Sequence, residues 1–156
     1  MRELKKLFKS FEYAFEGIRF CIKNERNLRI HLTAIFYVLF FVCITSIHSF
    51  ELISLLICFA MVISAELLNT SIEVLCDKES TGYNYFIKRA KDIAAAAVLV
   101  CAIFCIAVGL IIFIPKLNSI YQNFSIFHAL FLTISIPISL IFIFKGEIKW
   151  ILIKQL

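Results

Sequence analysis

Charge is scarce in this chain: of its 156 residues 17% are charged, 62% are hydrophobic, and the mean hydropathy is +0.93. A soluble domain of this size carries about 25% charge, so a water-soluble core is excluded and lipid must be the solvent for most of the chain. Glycine and proline are nearly absent, at four and two residues, which leaves no flexible linker. There is no G-x-x-x-x-G-K-[ST] loop, no H-R-D and no D-F-G, so the common backbone cradles for phosphate are excluded, and any nucleotide must be held by side chains and metal. No CxxC pair occurs among the six cysteines. Cys43, Cys58, Cys101 and Cys105 lie inside apolar runs and Cys21 and Cys76 near their borders, which reads as small apolar filler rather than disulfides or metal ligands. The net charge of +5 sits beside the apolar runs. Lipid headgroups or nucleotide phosphates therefore fit better than nucleic acid.

What is present is a series of apolar runs of about 20 residues, the length that a bilayer's hydrocarbon layer demands of a helix. Ahead of them, Leu4, Leu7, Phe8, Phe11, Phe15, Ile18 and Ile22 fall within roughly 100° of arc on a helix. Arg2, Lys5, Lys6, Lys9, Glu12 and Glu16 occupy the other sides, the pattern of an amphipathic helix lying in the membrane interface, expected over residues 1–29. Those charges also rule out a cleaved signal peptide, so this segment is expected in the mature protein. Transmembrane helices are expected at 31–50, 52–76, 93–114 and about 120–144, the last kinked by Pro137. The fold class is all-α, an integral membrane helical bundle.

Lysine and arginine number eight before the first span, none between the first and second, four between Asp77 and Asp92, one between the third and fourth, and three after the fourth. Cytoplasmic flanks are the enriched ones, so both termini and the loop from Asp77 to Asp92 are expected on the cytoplasmic side.

The second span differs from the rest because its last third carries Glu66, Asn69 and Glu73, with Asp77 just beyond. With Glu66 at zero, the others fall near about 300°, 340° and 20°, a stripe roughly 80° wide. A carboxylate at the centre of a membrane helix costs about 2.5 to 3.5 kcal/mol, so the stripe must face protein, water or a cation. Glu66 lies some 20 Å along a core about 30 Å thick, submerged but nearer the cytoplasmic border. A purely structural stripe joining helices by hydrogen bonds is one reading. The other is Mg²⁺, which takes one or two protein carboxylates and completes its shell with phosphate and water, and Glu25 in the elbow before the first span adds a third carboxylate. On the opposing wall, Lys91 precedes Ala94, Ala95, Ala96 and Ala97, small residues that let a second helix approach. Lys88 and Arg89 read equally well as membrane anchors.

The run Glu66-Leu67-Leu68-Asn69-Thr70-Ser71-Ile72-Glu73, then Asp77, then Ala90-Lys91-Asp92-Ile93-Ala94-Ala95, resembles the bacterial integral-membrane diacylglycerol kinase and undecaprenol kinase family. Tyr13, Gly17, Asn24-Glu25 and Arg29-Ile30-His31 match as well, over about residues 4–117. The segment Asn27 to Leu32 and the phrase Glu-Leu-Leu-Asn-Thr look more like the undecaprenol kinase branch. The resemblance implies a lipid kinase domain over residues 1–117, a homotrimer with composite sites between neighbours, ATP and Mg²⁺, and a bacterial cell membrane location. It implies Glu66 as general base, Glu25 and Glu73 as Mg²⁺ ligands, and Asn69 and Asp77 as supporting polar groups. ATP contacts are implied for Lys6, Tyr13, Glu25, Glu73, Gly82, Tyr83, Asn84, Lys91 and Asp92, and lipid contacts for Arg29 and Ala95. Asn84 departs from the histidine that family members often carry there. Residues 118–156, with a fourth span and a short cytoplasmic tail, also depart from the family, which usually ends soon after its third helix.

The activity expected is transfer of the γ-phosphoryl group of MgATP to a membrane lipid hydroxyl, undecaprenol first and diacylglycerol second. A small channel or transporter subunit with an acidic ion path is the alternative from another class. It requires carboxylates spread through the membrane's depth, whereas all but Glu51 crowd one border. A scaffold without turnover is a third, encouraged only by the fourth helix.

Overall fold

A computed structural model describes residues 2–79 and 82–154, with side chains for residues 4–79 and 82–145. Residues 155 and 156, the end of the expected tail, lie outside the described residues. The described residues form helices α1 (Arg2–Asn24), α2 (Arg26–Ile44), α3 (Ser49–Glu79), α4 (Tyr85–Phe113), α5 (Leu117–Asn123) and α6 (Ile126–Lys154), with a 3₁₀ turn at Ile114–Lys116 and no strand. Backbone groups in hydrocarbon must be satisfied within their own segment, which is why an apolar chain resolves into helices. Four of them are long and apolar enough to cross a membrane, and the chain is a multi-pass membrane protein.

The ends of these elements differ from the expected ones for local reasons. The surface helix stops at Asn24 because Glu25 is extended (φ −98°, ψ 117°), and α2 starts at once with Arg26 instead of residue 31. It ends at Ile44, where Thr45 turns extended, so Phe50 belongs to α3 and not to the first span. Glu51 Oε2 accepts the backbone N–H of His48 at 2.9 Å, half of a capping box that starts α3 earlier than the apolar run does. Asn84 likewise starts α4 at Tyr85, eight residues before the expected 93, by accepting from the backbone N–H groups of Phe86 (2.9 Å) and Ile87 (3.3 Å). Pro115 stands at the start of the 3₁₀ turn, and the chain rolls on into α5, so residues 120–123 are not in the fourth span. The helical assignment of α6 passes unbroken through Pro137.

Helices α3 and α4 pair along their length, α2 lies against α3, and α1 touches both α2 and α3. Their shared seam buries Leu28, Leu55, Cys58, Val62, Ala94 and Val98. Lipid gives no hydrophobic drive toward helix association, so small and polar contacts decide it. Cys105 Sγ donates to the Cys58 carbonyl at 3.2 Å, consistent with cysteines acting as interior filler. At the end away from α1, Lys116 Nζ meets Glu51 Oε2 at 3.0 Å and the Ser46 carbonyl at 3.2 Å. The apolar side chains of α1, such as Phe8 and Phe15, are exposed within the chain, as a helix seated in a lipid interface requires.

The additional helix α6 packs on α2. Tyr37 Oη meets Ser139 Oγ at 2.9 Å and Ser135 Oγ at 3.3 Å, and Phe40 stacks on Phe131 with centroids 4.8 Å apart. Arg29, buried at 5% exposure, donates from Nε to the Ile143 carbonyl and from one terminal nitrogen to the Ile22 and Lys23 carbonyls, each at 3.1 Å. One guanidinium thus ties together the end of α1, the start of α2 and α6. An Arg29→Met variant is expected to lose about 3 kcal/mol, because the Ile22 and Lys23 carbonyls at the end of α1 lose their donor at a border with little water and α6 loses its tie to the elbow. Tyr37→Phe should lose under about 1 kcal/mol, the usual worth of an interhelical bond in lipid. Thermal unfolding in detergent measures both; equal small losses would contradict the clamp.

Candidate functional site

Helix α3 carries its polar residues at intervals of three and four, so they fall on the face turned toward α2 and α4. Glu66 is 2% exposed, Asn69 6% and Thr70 2%. Thr70 Oγ1 donates to the Glu66 carbonyl at 3.0 Å, and Asn69 Nδ2 donates to Glu73 Oε1 at 2.8 Å. His31 Nε2 of α2 lies 3.1 Å from Glu66 Oε1. That pair has the separation of an ion pair but not the alignment of a hydrogen bond, and both Glu66 Oε1 and Asn69 Oδ1 are buried acceptors without a hydrogen-bond partner. Such groups are costly unless something visits them.

They border a cavity of about 270 Å³ that Glu66, Asn69 and Glu73 line from α3, Asn27, Ile30 and His31 from α2, and Ala95, Val98, Leu99 and Ala102 from α4. An apolar cleft of about 490 Å³ adjoins it, running between the same helices past Val38, Leu55, Phe59, Val62 and Gly109. Ile30, His31 and Ala102 line both spaces. The polar cavity therefore opens sideways onto a surface that suits a hydrocarbon chain.

Glu25 precedes α2 at the capping position, yet its side chain makes no capping bond. Burial pushes its carboxyl above the usual carboxylate range, and the nearby carboxylates of Glu73 and Glu66 push it further, with Arg29 opposing. These three acids thus feel one another across the junction of α2 and α3. Among the described residues no three His, Cys, Asp or Glu side chains close into a metal-holding group.

A second cavity, also about 270 Å³, lies at the α3–α4 turn and gathers Asp77, Gly82, Tyr83, Asn84, Lys88, Lys91 and Asp92. Lys91 Nζ is ion-paired with Asp77 Oδ1. Asp77 therefore parts from the other three members of its stripe: they line the first cavity, and it lines the second. Glu73 and Asp77 are four residues apart, about 6 Å along the helix, so the two spaces are neighbours. Asn84 spends its side-chain oxygen on capping α4. The small residues after Lys91 divide as well, with Ala94 buried, Ala95 lining the polar cavity, and Ala96 and Ala97 exposed.

Not every expected residue arrives. Lys6 and Tyr13 are exposed on α1 and line neither cavity; Lys9 Nζ lies 5.7 Å from the Tyr13 ring centroid. The guanidinium of Arg29 is turned to backbone carbonyls. Arg89, read equally as an anchor, donates from Nε to Tyr85 Oη at 3.0 Å. His31 is the group whose place in the site reading the sequence missed: it entered there as the start of an apolar run and as part of the matching segment Arg29-Ile30-His31, with no role assigned. An ionisable side chain opening a membrane span is itself a signal of function.

A polar, carboxylate-lined cavity buried among membrane helices, joined to an apolar cleft and neighboured by a pocket of two lysines and two aspartates, is the layout of a membrane protein with room for a charged group beside a lipid. Residues 12–113 match the family described as prokaryotic diacylglycerol kinase, and the chain belongs to that family. It is 37% identical over 115 residues to an undecaprenol kinase of Bacillus subtilis, spanning 74% of this chain and 94% of that protein. A diacylglycerol kinase of Synechocystis is 33% identical over 115 residues, 73% of this chain and 66% of that protein, and one from Escherichia coli is 28% identical over 98 residues, 63% and 80%. The chain is a lipid kinase, a phosphotransferase with an alcohol acceptor and ATP as co-substrate.

Replacing Asn84 by alanine removes the cap of α4 and is expected to lower stability by about 1 kcal/mol, whereas Asn84→Ser should retain most of it. Unfolding curves of the two variants in one detergent check this; identical curves would deny Asn84 its capping role.

Proposed function

We propose that this chain transfers the γ-phosphoryl group of ATP to the primary hydroxyl of a membrane lipid, undecaprenol before diacylglycerol, with Glu66 as general base. The observation that carries the reading is the position of Glu66, buried at the floor of a polar cavity that opens through Ile30, His31 and Ala102 onto an apolar cleft. A lipid alcohol can rest there with its chain still in hydrocarbon. Undecaprenol comes first because the relative of that name is similar over nearly its whole length.

The pocket around Lys91 suits the phosphates of ATP. Lys91 supplies a point charge, Lys88 a second, and Gly82, Tyr83, Asn84 and Asp92 shape the rim. A triphosphate laid inward from Lys91 passes Asp77 and Glu73 and brings its terminal phosphoryl group toward Glu66. Lys6 and Tyr13 would join only from another chain or after α1 moves, in keeping with a homotrimer whose sites are shared between neighbours. Arg29 acts on the lipid border through the elbow that it ties, and Ala95 leaves room beside the acceptor. An even number of spans, with the basic flanks, supports both termini in the cytoplasm of a bacterial cell.

Mg²⁺ fits this site, because Glu73 stands close enough to raise the Glu25 carboxyl, Arg29 opposes that rise without cancelling it, and Glu25 makes no capping bond. Glu25 and Glu73 would hold it, and when bound it would neutralise charge on the β- and γ-phosphate oxygens. Asn69 keeps Glu73 in place by its hydrogen bond. In the transfer itself the hydroxyl proton passes to Glu66 and the lipid oxygen bonds to the γ-phosphorus. The bond from that phosphorus to the bridging oxygen breaks, and ADP leaves. Positioning and charge supply most of the acceleration. Membership of a kinase family weighs against the channel reading.

With labelled ATP and each lipid in micelles, the wild-type chain is expected to phosphorylate undecaprenol faster than diacylglycerol, and transfer to neither would defeat the reading. Glu66→Gln should keep MgATP binding and lose about 10²- to 10⁴-fold in kcat; full turnover would remove Glu66 from its role.

The sign of the pH effect follows from Glu25. A carboxyl raised by the fold stabilises it below the ordinary carboxylate range, and that contribution disappears as pH climbs through the raised value. In chelator the protein should melt lower at about pH 7 than at about pH 5, and Mg²⁺ should restore the loss at the higher pH. Glu25→Gln should abolish the Mg²⁺-dependent gain, and a gain of the same size in that variant would place the cation elsewhere.

A further inference from the structure

His31 reaches the site from α2, across the cavity from the helix that carries Glu66. Its Nε2 stands 3.1 Å from Glu66 Oε1. The carboxylate is 2% exposed, and that oxygen has no hydrogen-bond partner as it stands. A buried acceptor with an imidazole nitrogen 3.1 Å away calls for that donor, and a small rotation of the ring supplies the missing alignment. Position adds a second reason. Among the described residues His31 is one of three that line both the polar cavity and the apolar cleft, and the others, Ile30 and Ala102, carry no polar side chain. A lipid hydroxyl entering from the cleft meets the base beside this ring.

We propose that His31 is a positioning residue for phosphoryl transfer: it donates from Nε2 to Glu66 Oε1, fixes the rotamer of the base, and turns the second carboxylate oxygen toward the lipid hydroxyl. The inference rests on Glu66 acting as the base. An imidazole suits the task because, in its neutral form, it donates a hydrogen bond without the full charge that would quench a base. A lysine at the same point would pair with the carboxylate and hold it ionised but unreactive. The buried carbonyl contact from Thr70 restrains the backbone beneath Glu66, and His31 is the side chain placed to restrain the carboxylate itself.

A merely structural bond between α2 and α3 predicts a different result from a positioning one, and kinetics separate them. His31→Ala is expected to lower kcat about 10- to 100-fold while KM for MgATP and for lipid stays within about twofold, because orientation is lost and binding is not. His31→Gln keeps an N–H donor of similar reach and should recover most of that rate. In the Glu66→Gln background His31→Ala should add no further loss, since a residue acting through Glu66 has nothing left to position. Thermal melts of all four proteins establish that they are folded. Unchanged kcat in His31→Ala, failure of His31→Gln to recover the rate with its fold intact, or an equal loss in both backgrounds would overturn the proposal while leaving the kinase reading in place. A wild-type chain inactive on both lipids would instead remove the reading and the proposal together.

Discussion

A carboxylate inside an apolar helix is the constraint around which this molecule is arranged. Left facing lipid, Glu66 would cancel several apolar side chains' worth of insertion energy. It is almost fully enclosed instead, between α2 and α4, and the residues that enclose it are of two kinds. Ala95, Ala102 and Val98 are small enough to bring α4 close, while His31 and Asn69 are polar enough to share the cavity with a charge. Helix association in lipid gains little from apolar contact, so this polar centre and the close seam of small residues give the bundle its register.

The same arrangement divides the site into functions. One cavity holds Glu66 and Glu73 of α3 and opens toward the apolar cleft; its neighbour, one turn nearer the α3–α4 turn, holds Lys88 and Lys91, the residues proposed to meet phosphate. The ion pair of Lys91 with Asp77 lines the second cavity and links the end of α3 to the start of α4. Glu25 completes the acidic group from outside the membrane helices, on the extended residue that separates α1 from α2. The elbow that presents Glu25 is itself held by Arg29, which also reaches the backbone of α6. The helix beyond the family's matched residues is thus coupled to the elbow of the site without entering it.

Much of this was legible in the order of residues. Four apolar spans, an amphipathic leader, the acidic stripe on α3 and the cationic start of α4 all follow from periodicity and from the cost of charge in lipid. What was misplaced were the helix ends, because caps made by Glu51 and Asn84 extend helices past the apolar runs that announce them. Asp77 was grouped with Glu66 by angle alone, but angle ignores depth along the axis, and a residue three turns away meets a different neighbour. The family resemblance implied a lipid contact for Arg29, whereas its guanidinium is turned to the carbonyls that end α1 and to one of α6, a helix far away in the chain.

By itself, then, the sequence determined the solvent, the class of fold and the face on which the acids lie, since hydropathy and helical period are properties of neighbouring residues, while its ordered motifs carried the family resemblance. Only the tertiary structure decided which of those residues touch. His31 and Glu66, Lys91 and Asp77, and Arg29 and the Ile143 carbonyl are each brought together by the rotation and depth of one helix against another. Those two quantities arise from side-chain packing between distant segments, and no local pattern encodes them.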